Sequence, residues 1–236
     1  MPVNPRQALV IGASSGIGAS TALGLAAHDW AVTAVARRED RLRDIARRNP
    51  NIRTTTLDVT DTSALDHTLA QAGPLDALVY AAGWNFPDRE LDVLDPEDWH
   101  HAFSVNVNGA FVATRAALPQ MRLNGGGVIV YVSSISAVRA DASGAAYQAS
   151  KRALHGLAEA INLEEVSHGI RASIVMPGLT KTEFNSLRRT PPSESQRSLF
   201  LTSQDVADAI IFICELPARV MIPELTIVPT ANPWNR

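Results

Sequence analysis

Short apolar runs alternate with longer helical patterns along most of the chain. Several of the runs are continuous and rich in Val and Ile, as expected of strands that are buried on both faces of a sheet. They predict seven strands, at Ala8–Ile11, Ala31–Ala36, Arg53–Leu57, Leu75–Tyr80, Val128–Val132, Ala172–Val175 and Leu225–Val228. The segments between them predict helices at Gly16–His28, Glu39–Arg48, Thr62–Ala72, Pro96–Leu123, Ala145–His168 and Ser203–Leu216.

This regular alternation of strands and helices predicts a Rossmann-like α/β fold. Right-handed crossovers would place the strands in one doubly wound parallel sheet of about seven strands, with helices on both faces. A length of 236 residues fits a single domain over 1–236. Residues 183–203 are polar and contain Pro191-Pro192, which predicts a loop or short helical flap over the substrate. Residues 229–236 are predicted to form an irregular tail.

Composition and charge narrow the classes of partner. The formal net charge is −3, which gives no field to attract nucleic acid or an anionic membrane. No apolar run approaches the ~18 residues of a membrane span, and residues 1–5 lack the pattern of a secretory signal. The single cysteine, Cys214, excludes an internal disulfide and a cysteine-based zinc site. We therefore expect a cytoplasmic protein without a metal, whose partner is a small molecule.

A glycine-rich turn follows the first predicted strand and opens the first helix. It runs Gly12-Ala-Ser-Ser-Gly16-Ile-Gly18. Glycines let a backbone approach a pyrophosphate, and the helix N-terminus offers free N–H groups and a partial positive charge to the anion. The spacing differs from the G-x-G-x-x-G pattern of the usual dinucleotide fold. A strand–helix turn without a ligand is therefore the competing interpretation.

Two arginines at the end of the second strand bear on the choice of coenzyme. Ala36 is followed by Arg37 and Arg38, with no acidic residue before Glu39. A carboxylate at this point would accept from the ribose 2′-hydroxyl of NAD, whereas arginine accommodates the 2′-phosphate of NADP. We therefore favour NADP over NAD, with Arg37 on the phosphate and Ser14 or Arg38 assisting. In the alternative, both arginines only decorate a solvated helix.

Polar side chains also follow the third and fifth predicted strands. Asp58 could accept from an adenine amino group, and it could equally stabilise its own turn or cap the next helix. Ser133 and Ser134 follow the fifth strand, at the carboxyl edge where open α/β sheets bind ligands. A hydroxyl there can donate to a developing oxyanion, although a polar turn after a strand explains the two serines equally well.

Tyr147 and Lys151 stand four residues apart at the start of a long, alanine-rich helical segment. Side chains at this spacing share one face of a helix. At 4 Å and an effective dielectric near 20, the lysine charge would favour tyrosinate by up to about 4 kcal/mol, which suits a general acid or base. Taken alone, a Tyr-x-x-x-Lys pair is as readily a feature of an ordinary surface.

Together these features resemble the short-chain dehydrogenases/reductases over essentially the whole chain. The shared pattern consists of Gly12-x-x-x-Gly16-x-Gly18, Asp58, Ala82-Gly83, Asn106-x-x-Gly109, Ser134, Tyr147-x-x-x-Lys151 and Pro177-Gly178. Ser134 lies thirteen residues before Tyr147, as the family pattern requires. The resemblance implies an NADP(H)-dependent enzyme that interconverts a ketone or aldehyde and an alcohol by hydride transfer.

The resemblance also implies roles for individual residues. Tyr147 would exchange the proton, Lys151 would bind the nicotinamide ribose and favour tyrosinate, and Ser134 would polarise the substrate oxygen. Asn106 would bend its helix and hold a water in a proton relay, or else merely kink or cap the helix. The implied coenzyme site comprises Gly12, Ser14, Ser15, Gly16, Ile17, Gly18, Arg37, Arg38, Asp58, Val59, Ala82, Gly83, Tyr147, Lys151, Pro177, Gly178 and Thr182. Thr182 would meet the carboxamide, while Pro177-Gly178 could simply be a turn.

Two segments depart from the common family pattern. Tyr80-Ala81-Ala82-Gly83 lacks both asparagines of the Asn-Asn-Ala-Gly form, which puts local hydrogen bonding in doubt more than chemistry. The segment Ile222–Thr230 lacks the usual Asp-Gly-Gly ending and resembles the branch of NADP-dependent hydroxy-acid and clavulanate-type dehydrogenases. That resemblance implies NADP and a small or polar substrate.

The sequence is compatible with more than one substrate and more than one assembly. Two alternatives to a simple carbonyl reductase are a reductase of 3-oxoacyl chains on a carrier protein and a non-catalytic dinucleotide-binding sensor or scaffold. Relatives commonly form homotetramers or homodimers, which the resemblance implies here. Residues that could line a substrate pocket are Trp84, Asn85, Arg139, Phe184, Arg188 and Arg189.

Overall fold

Seven parallel strands form the centre of the structure, a computed structural model that describes residues 5–187 and 191–231. The strands in this part of the chain are β1 Gln7–Ile11, β2 Ala31–Ala36, β3 Ile52–Thr56, β4 Ala77–Tyr80, β5 Gly127–Val132, β6 Ile170–Pro177, β7 Thr180–Lys181, β8 Leu201–Thr202 and β9 Glu224–Ile227. The main sheet has the order β3-β2-β1-β4-β5-β6-β9, and every neighbouring pair is parallel. The short strands β7 and β8 pair with each other.

Helices cover both faces of the main sheet. Their bounds are α1 Gly16–Ala27, α2 Glu39–Ala46, α3 Thr62–Ala70, α4 Pro96–Phe103, α5 Gly109–Leu123, α6 Ala145–Glu164, α7 Glu194–Arg197 and α8 Ser203–Glu215. Alternate residues of β1 enter different cores. Leu9 and Ile11 pack into the core shared with α3, α5 and α6, whereas Ala8 and Val10 pack into the core shared with α1, α2 and α8. Strand β1 is thus buried on both faces, and the parallel sheet with helices on both sides confirms the predicted Rossmann-like fold.

The order of the strands reverses beside β1. From β1 the chain builds outward to β2 and β3, then crosses back to place β4 on the other side of β1. Ile11 at the end of β1 consequently pairs with both Val35 and Tyr80. Connections that leave neighbouring strands in opposite directions open a crevice at the carboxyl edge of the sheet, where such folds bind ligands.

The helix expected at Pro96–Leu123 is interrupted by a π-helical turn at Ser104–Asn108. The Tyr80 hydroxyl donates a hydrogen bond to the carbonyl of Val105 within this turn. Gly109 makes room for the phenol, because a Cβ at this position would lie 2.4 Å from the Tyr80 hydroxyl oxygen. Single π turns inside α-helices commonly occur at functional sites. The departure from a regular helix therefore has a visible tertiary cause.

Other boundaries also differ from the sequence-based expectation. The helix expected over Ala145–His168 ends at Glu164 and is followed by a 3₁₀ turn at Val166–His168, where Gly169 adopts φ +71°. Residues 183–203 contain a 3₁₀ turn at Glu183–Leu187 as well as α7 and β8; within them, 188–190 lie outside the described residues. Of the predicted tail 229–236, the described residues 229–231 form no helix or strand, and 232–236 lie outside the described part.

Replacing Gly18 with alanine is expected to lower the free energy of unfolding by about 1–3 kcal/mol. A Cβ at Gly18 would lie 2.3 Å from the carbonyl oxygen of Gly12, so backbone must shift against backbone. Gly156→Ala is the matched control, because nothing lies within 4 Å of its Cβ position and alanine favours a helix by up to ~1 kcal/mol. Urea denaturation measures both variants. Equal free energies of unfolding for the two variants would contradict the close contact between Gly18 and the Gly12 carbonyl.

Candidate functional site

A cavity with a volume of about 490 Å³ lies at the carboxyl edge of the main sheet. Its walls include residues that directly follow four different strands: Gly12 after β1, Ala81 after β4, Ser133 after β5 and Gly178 after β6. This volume is typical of small-molecule and cofactor sites. The cavity also reaches the first turn of α1, so an elongated ligand could extend from that helix end to α6.

The glycine turn shapes the cavity where α1 begins. Gly12 has φ +85°, and the N–H groups of Gly12 and Ala13 both donate to the carbonyl of Val35, at 2.8 and 3.1 Å. Ser15 is the N-cap of α1, but its hydroxyl accepts a hydrogen bond from Arg38 at 2.6 Å and does not cap the helix. The first-turn amides of a helix have no partner within the helix. They are suited to an anion in the cavity.

Arg38 fastens this end of the cavity to the segment that follows β7. Its guanidinium donates to the Ser14 hydroxyl at 3.1 and 3.2 Å and to the Glu183 carboxylate at 2.8 Å. This hydrogen bond and the charge of Arg38 lower the pKa of Glu183. Arg41 lies 3.6 Å from the same carboxylate. The contact partner of Ser14 is therefore Arg38, the residue that the sequence analysis treated as secondary.

Arg37 turns toward the third strand. Its Nη1 lies 3.5 Å from Oδ2 of Asp58. Asp58 also accepts from the N–H of Thr60 at 2.9 Å and from its hydroxyl at 2.8 Å. Burial acts to raise the pKa of Asp58, but the Thr60 hydrogen bonds and the Arg37 charge hold it below the ordinary value. Asp58 thus stabilises its own turn while it lines the cavity, and the cap of α3 is Asp61.

Tyr147 and Lys151 meet at the opposite end of the cavity, on the first turns of α6. Nζ of Lys151 lies 5.7 Å from the centroid of the Tyr147 ring and donates to the carbonyl of Val132 at 2.9 Å. Lys151 is only 3% exposed, and burial lowers its pKa to about 8. A Cβ at Gly83 would lie 3.3 Å from Nζ. The lysine is therefore enclosed between the end of β5 and the segment after β4.

The Asn106 side chain joins three segments behind the cavity. Its Oδ1 accepts from the N–H of Trp84 at 2.7 Å, and its Nδ2 donates to the Trp84 carbonyl at 3.0 Å and to the Ser150 hydroxyl at 2.9 Å. The amide thereby ties the π turn to the segment after β4 and to α6. The predicted distortion of the helix is present, whereas the role of Asn106 in a proton relay stays a prediction.

The two adjacent serines after β5 have different surroundings. Ser133 donates to the carbonyl of Lys151 at 3.0 Å. Ser134 begins a 3₁₀ turn and is hydrogen bonded to Ser136, whose N–H donates to the Ser134 hydroxyl at 3.1 Å. Both serines line the cavity together with Tyr147. The Ser133 hydroxyl is thus bonded to a main-chain carbonyl, whereas the Ser134 hydroxyl is bonded to another side-chain hydroxyl.

The segment after β6 closes one side of the cavity. Gly178 donates from its N–H to the carbonyl of Ile227 at 2.8 Å. A Cβ added to Gly16 would lie 3.2 Å from the methyl group of Thr182, so Thr182 packs against the glycine turn. The ring of Phe184 lies 5.5 Å from that of Tyr147, centroid to centroid. An aromatic side chain therefore stands over the tyrosine at the end of the cavity.

The structure brings nearly all of the predicted site residues to this cavity. Every residue of the expected coenzyme site lines it, as do Ser134, Trp84 and Phe184, whereas Asn106 lies behind the wall. Asn85 is buried and donates to the carbonyl of Ser143. Arg188 and Arg189 lie outside the described residues. The sequence analysis gave no role to Ser136, Asp141 and Ser143, and it included Glu183 and Asn185 only as part of the predicted loop 183–203.

Comparison with known proteins identifies the family. A model of the short-chain dehydrogenases matches residues 6–192. The chain belongs to this family. An uncharacterized oxidoreductase of Mycobacterium tuberculosis is 34% identical over 229 residues, which cover 95% of this chain and 91% of the relative. Sulfoacetaldehyde reductase 2 of Chromohalobacter salexigens is 28% identical over 240 residues, which cover 96% and 95% of the two chains.

Solved structures of this short-chain dehydrogenase's relatives share its whole architecture. The closed form of serine dehydrogenase complexed with NADP+ superposes with a TM-score of 0.88 at 26% identity, covering 95% of each chain. An actinorhodin polyketide ketoreductase variant with NADPH superposes with a TM-score of 0.87 at 26% identity, covering 97% of this chain and 98% of that one. The family and these relatives make the protein an oxidoreductase that acts on a small molecule.

Two classes of feature do not occur in the described part of this dehydrogenase. Over 5–187 and 191–231, no helix is long and apolar enough to cross a membrane. In the same residues, no group of three or more His, Cys, Asp and Glu side chains could hold a metal ion.

Lys151→Met is expected to flatten the dependence of stability on pH. Between pH 8 and 10.5, the two pKa values of Lys151, the unfolded chain binds a proton that the folded protein does not, so the free energy of unfolding rises with pH. The difference between the two pKa values corresponds to a change in the free energy of unfolding on the order of 3 kcal/mol. Urea denaturation of the wild type and the variant across this range measures it.

Lys181→Met, at a half-exposed lysine paired with Glu194, controls for the loss of a lysine elsewhere. Its stability is expected to follow the wild-type pH profile. Parallel profiles for wild type and Lys151→Met would mean that Lys151 stays protonated in the folded protein over the whole range, against the effect attributed to its burial.

Proposed function

We propose that this short-chain dehydrogenase is an NADP(H)-dependent enzyme that interconverts a ketone or aldehyde and the corresponding alcohol. The observation that carries the proposal is the buried ammonium group of Lys151 beside the Tyr147 ring. Among the described residues, no carboxylate pairs with Lys151. An uncompensated cation in a buried position is costly, and such perturbed groups cluster at functional sites.

The residues around the cavity fit a nicotinamide dinucleotide. The amides at the start of α1 would hold the diphosphate, since the Ser15 hydroxyl leaves them uncapped. Asp58 and Val59 line the wall on the adenosine side, and Thr182 lies where it could meet the carboxamide. The solved relatives with NADP+ and NADPH support the same coenzyme here. When bound, NADPH supplies the hydride for the reduction.

Side chains of this protein would donate or accept the proton and stabilise the negative charge that develops on the oxygen. In the reduction, Tyr147 gives its phenolic proton to the carbonyl oxygen, and Ser134 donates a hydrogen bond to the same oxygen. The charge of Lys151 stabilises the tyrosinate that remains. In the oxidation, tyrosinate takes the proton from the alcohol. Burial strengthens the interaction of Lys151 with tyrosinate and that of Ser134 with the substrate oxygen, because electrostatic interactions are stronger where water is excluded.

Substrate choice would rest on the end of the cavity near Tyr147. Ser136, Ser143 and Asn185 supply polar groups there, and Trp84 and Phe184 supply aromatic ones. Such a wall suits a small polar substrate, in keeping with the hydroxy-acid branch that Ile222–Thr230 resembles. We propose residues 183–203 as the substrate loop, since they begin at Glu183, which is bonded to Arg38 beside the glycine turn.

A homodimer or homotetramer is proposed from the outer surfaces of α5 and α6. Phe111 on α5 and Leu163 on α6 are exposed large apolar side chains. Leu123, at the end of α5, is also exposed. Both helices cover the same face of the main sheet, so these apolar side chains would be covered if a second copy of the chain packed against that face.

Tyr147→Phe is expected to lower turnover by about 10²–10⁴, the usual contribution of a general acid. The ring and its packing against Phe184 are retained, so NADPH affinity should change little. Turnover is followed by loss of NADPH absorbance with a panel of ketones, aldehydes and hydroxy acids, and affinity by fluorescence titration. Turnover at the wild-type rate in this variant would reject Tyr147 as the proton donor.

Arg38→Ala is expected to weaken NADPH binding by about 10- to 100-fold, the value of a charge-assisted hydrogen bond, and to leave NADH binding nearly unchanged. Arg38 contacts Ser14, so the two would form the 2′-phosphate site. Arg37→Ala tests the other arginine, and Arg43→Ala is the control, because Arg43 pairs with Glu39 within α2. If Arg38→Ala weakened both coenzymes equally, Arg38 would not discriminate between them.

A further inference from the structure

The π-helical turn at Ser104–Asn108 contains a main-chain carbonyl that accepts from a side chain of the sheet. In an α-helix the N–H of Gly109 would donate four residues back, to the carbonyl of Val105. Here it donates five residues back, to the carbonyl of Ser104. The hydroxyl of Tyr80, the last residue of β4, donates to the Val105 carbonyl. A phenol from the sheet thus takes the place of the Gly109 N–H at this carbonyl.

The Tyr80 phenol is suited to be a permanent donor. The residue is fully buried, and burial together with the charge of Asp58 raises the pKa of its hydroxyl well above the ordinary value. The hydroxyl therefore keeps its proton at neutral pH. Tyr80 also stands at the first position of the segment in which the common family pattern has two asparagines. Its contact with the π turn is consequently a feature of this chain.

The carbonyl that Tyr80 holds belongs to the peptide bond between Val105 and Asn106. The Asn106 side chain in turn bonds both main-chain groups of Trp84 and donates to the Ser150 hydroxyl at 2.9 Å. Ser150 donates to the main-chain carbonyl of Tyr147 at 2.9 Å. A continuous series of contacts therefore runs from the Tyr80 phenol through Asn106 to the first turn of α6.

The Asn106 amide also lies close to the buried lysine. A Cβ added to Gly83 would lie 3.3 Å from Nζ of Lys151 and 3.7 Å from Oδ1 of Asn106. The amide and the ammonium group thus face the same point of the segment after β4. A displacement of the π turn would move the amide relative to both Lys151 and the turn that carries Tyr147.

We propose that Tyr80 is a positioning residue, which holds the π turn so that the Asn106 amide aligns the segment after β4 with the first turns of α6. The inference rests on the proposed function, in which Tyr147 and Lys151 on those turns handle the proton. Tyr80 is not part of the cavity wall and touches neither substrate nor coenzyme. Its effect on the reaction must therefore pass through Asn106.

The neighbouring strand offers a matched control for the loss of a buried phenol. Tyr131 of β5 is the partner of Tyr80 in the register of the two strands and is equally buried. Its hydroxyl is bonded to that of Thr114 in α5, which itself donates to the carbonyl of Ala110. Since a threonine hydroxyl has one proton, Tyr131 is the donor to Thr114. Phenylalanine at either position removes one phenolic donor, but only Tyr80 serves the π turn.

Tyr80→Phe is expected to lower kcat by about 10- to 100-fold, the loss that a misplacement of about 1 Å can cause, with the NADPH affinity unchanged. Tyr131→Phe should lose a comparable part of the free energy of unfolding, because it also loses one buried hydrogen bond, and should keep kcat near the wild-type value. Turnover is measured with a carbonyl compound that the wild type reduces, and stability by urea denaturation. Wild-type kcat in Tyr80→Phe, or an equal fall in both variants, would overturn the inference.

A double variant with Asn106→Ala tests the route of the effect. If Tyr80 acts through Asn106, adding Tyr80→Phe to Asn106→Ala leaves kcat at the level of Asn106→Ala alone. Independent contributions to stability would instead make the two losses multiply, which would contradict a positioning role.

Gly109→Ala disturbs the same hydrogen bond without removing the hydroxyl and serves if Tyr80→Phe does not fold. Its Cβ would lie 2.4 Å from the Tyr80 hydroxyl oxygen and 3.1 Å from Cβ of Val59, which lines the cavity. The kcat of this variant is therefore measured at saturating NADPH. It should fall in the wild-type background and not in the Asn106→Ala background, and any other pattern would count against the inference.

The outcomes separate this inference from the proposed function. Loss of turnover in Tyr147→Phe together with wild-type kcat in Tyr80→Phe would overturn the role of Tyr80 and leave the proposed chemistry intact. Wild-type turnover in Tyr147→Phe, or no carbonyl reduction by the wild type, would overturn the proposed function and the role of Tyr80 with it.

Discussion

All seven strands of the main sheet run in one direction, and the position of every group in the cavity depends on this constraint. Parallel strands end at the same edge, so residues that follow β1, β4, β5 and β6 meet although they are far apart in sequence. The reversal of strand order beside β1 leaves that edge open. The glycine turn, the serine pair and the segment after β6 then form three sides of one cavity, and α6 supplies the fourth.

The sequence was sufficient for the parallel sheet and for most of the residues that line the cavity, because both follow from local patterns. Buried parallel strands are continuous apolar runs, and the family motifs stand directly after them. The resemblance implied a bend at Asn106, but its form, a π turn at Ser104–Asn108, could not be predicted. It depends on contacts of the Tyr80 phenol with Val105 and Gly109, which are more than twenty residues away. The ion pair between Arg38 and Glu183 spans 145 residues and is equally invisible in a pattern.

The cluster of Ser136, Asp141 and Ser143 was missed for a different physical reason. These residues are close in sequence but show neither helical nor strand spacing, since a 3₁₀ turn and an irregular loop bring them together. A polar stretch of this kind is normally solvated. The burial of Ser136 by the surrounding fold changes its hydroxyl from a surface group into one with fixed partners, and burial of that kind is a tertiary property.

The contact between Arg38 and Glu183 joins the start of the segment after β7 to the turn that opens α1. Both side chains are about half exposed, and ion pairs in such surroundings contribute only about 0–1 kcal/mol. A contact of this strength positions the segment but opposes its movement only weakly. In the proposed enzyme, separating Arg38 from Glu183 so that a coenzyme could pass would therefore cost no more than about 1 kcal/mol at this contact.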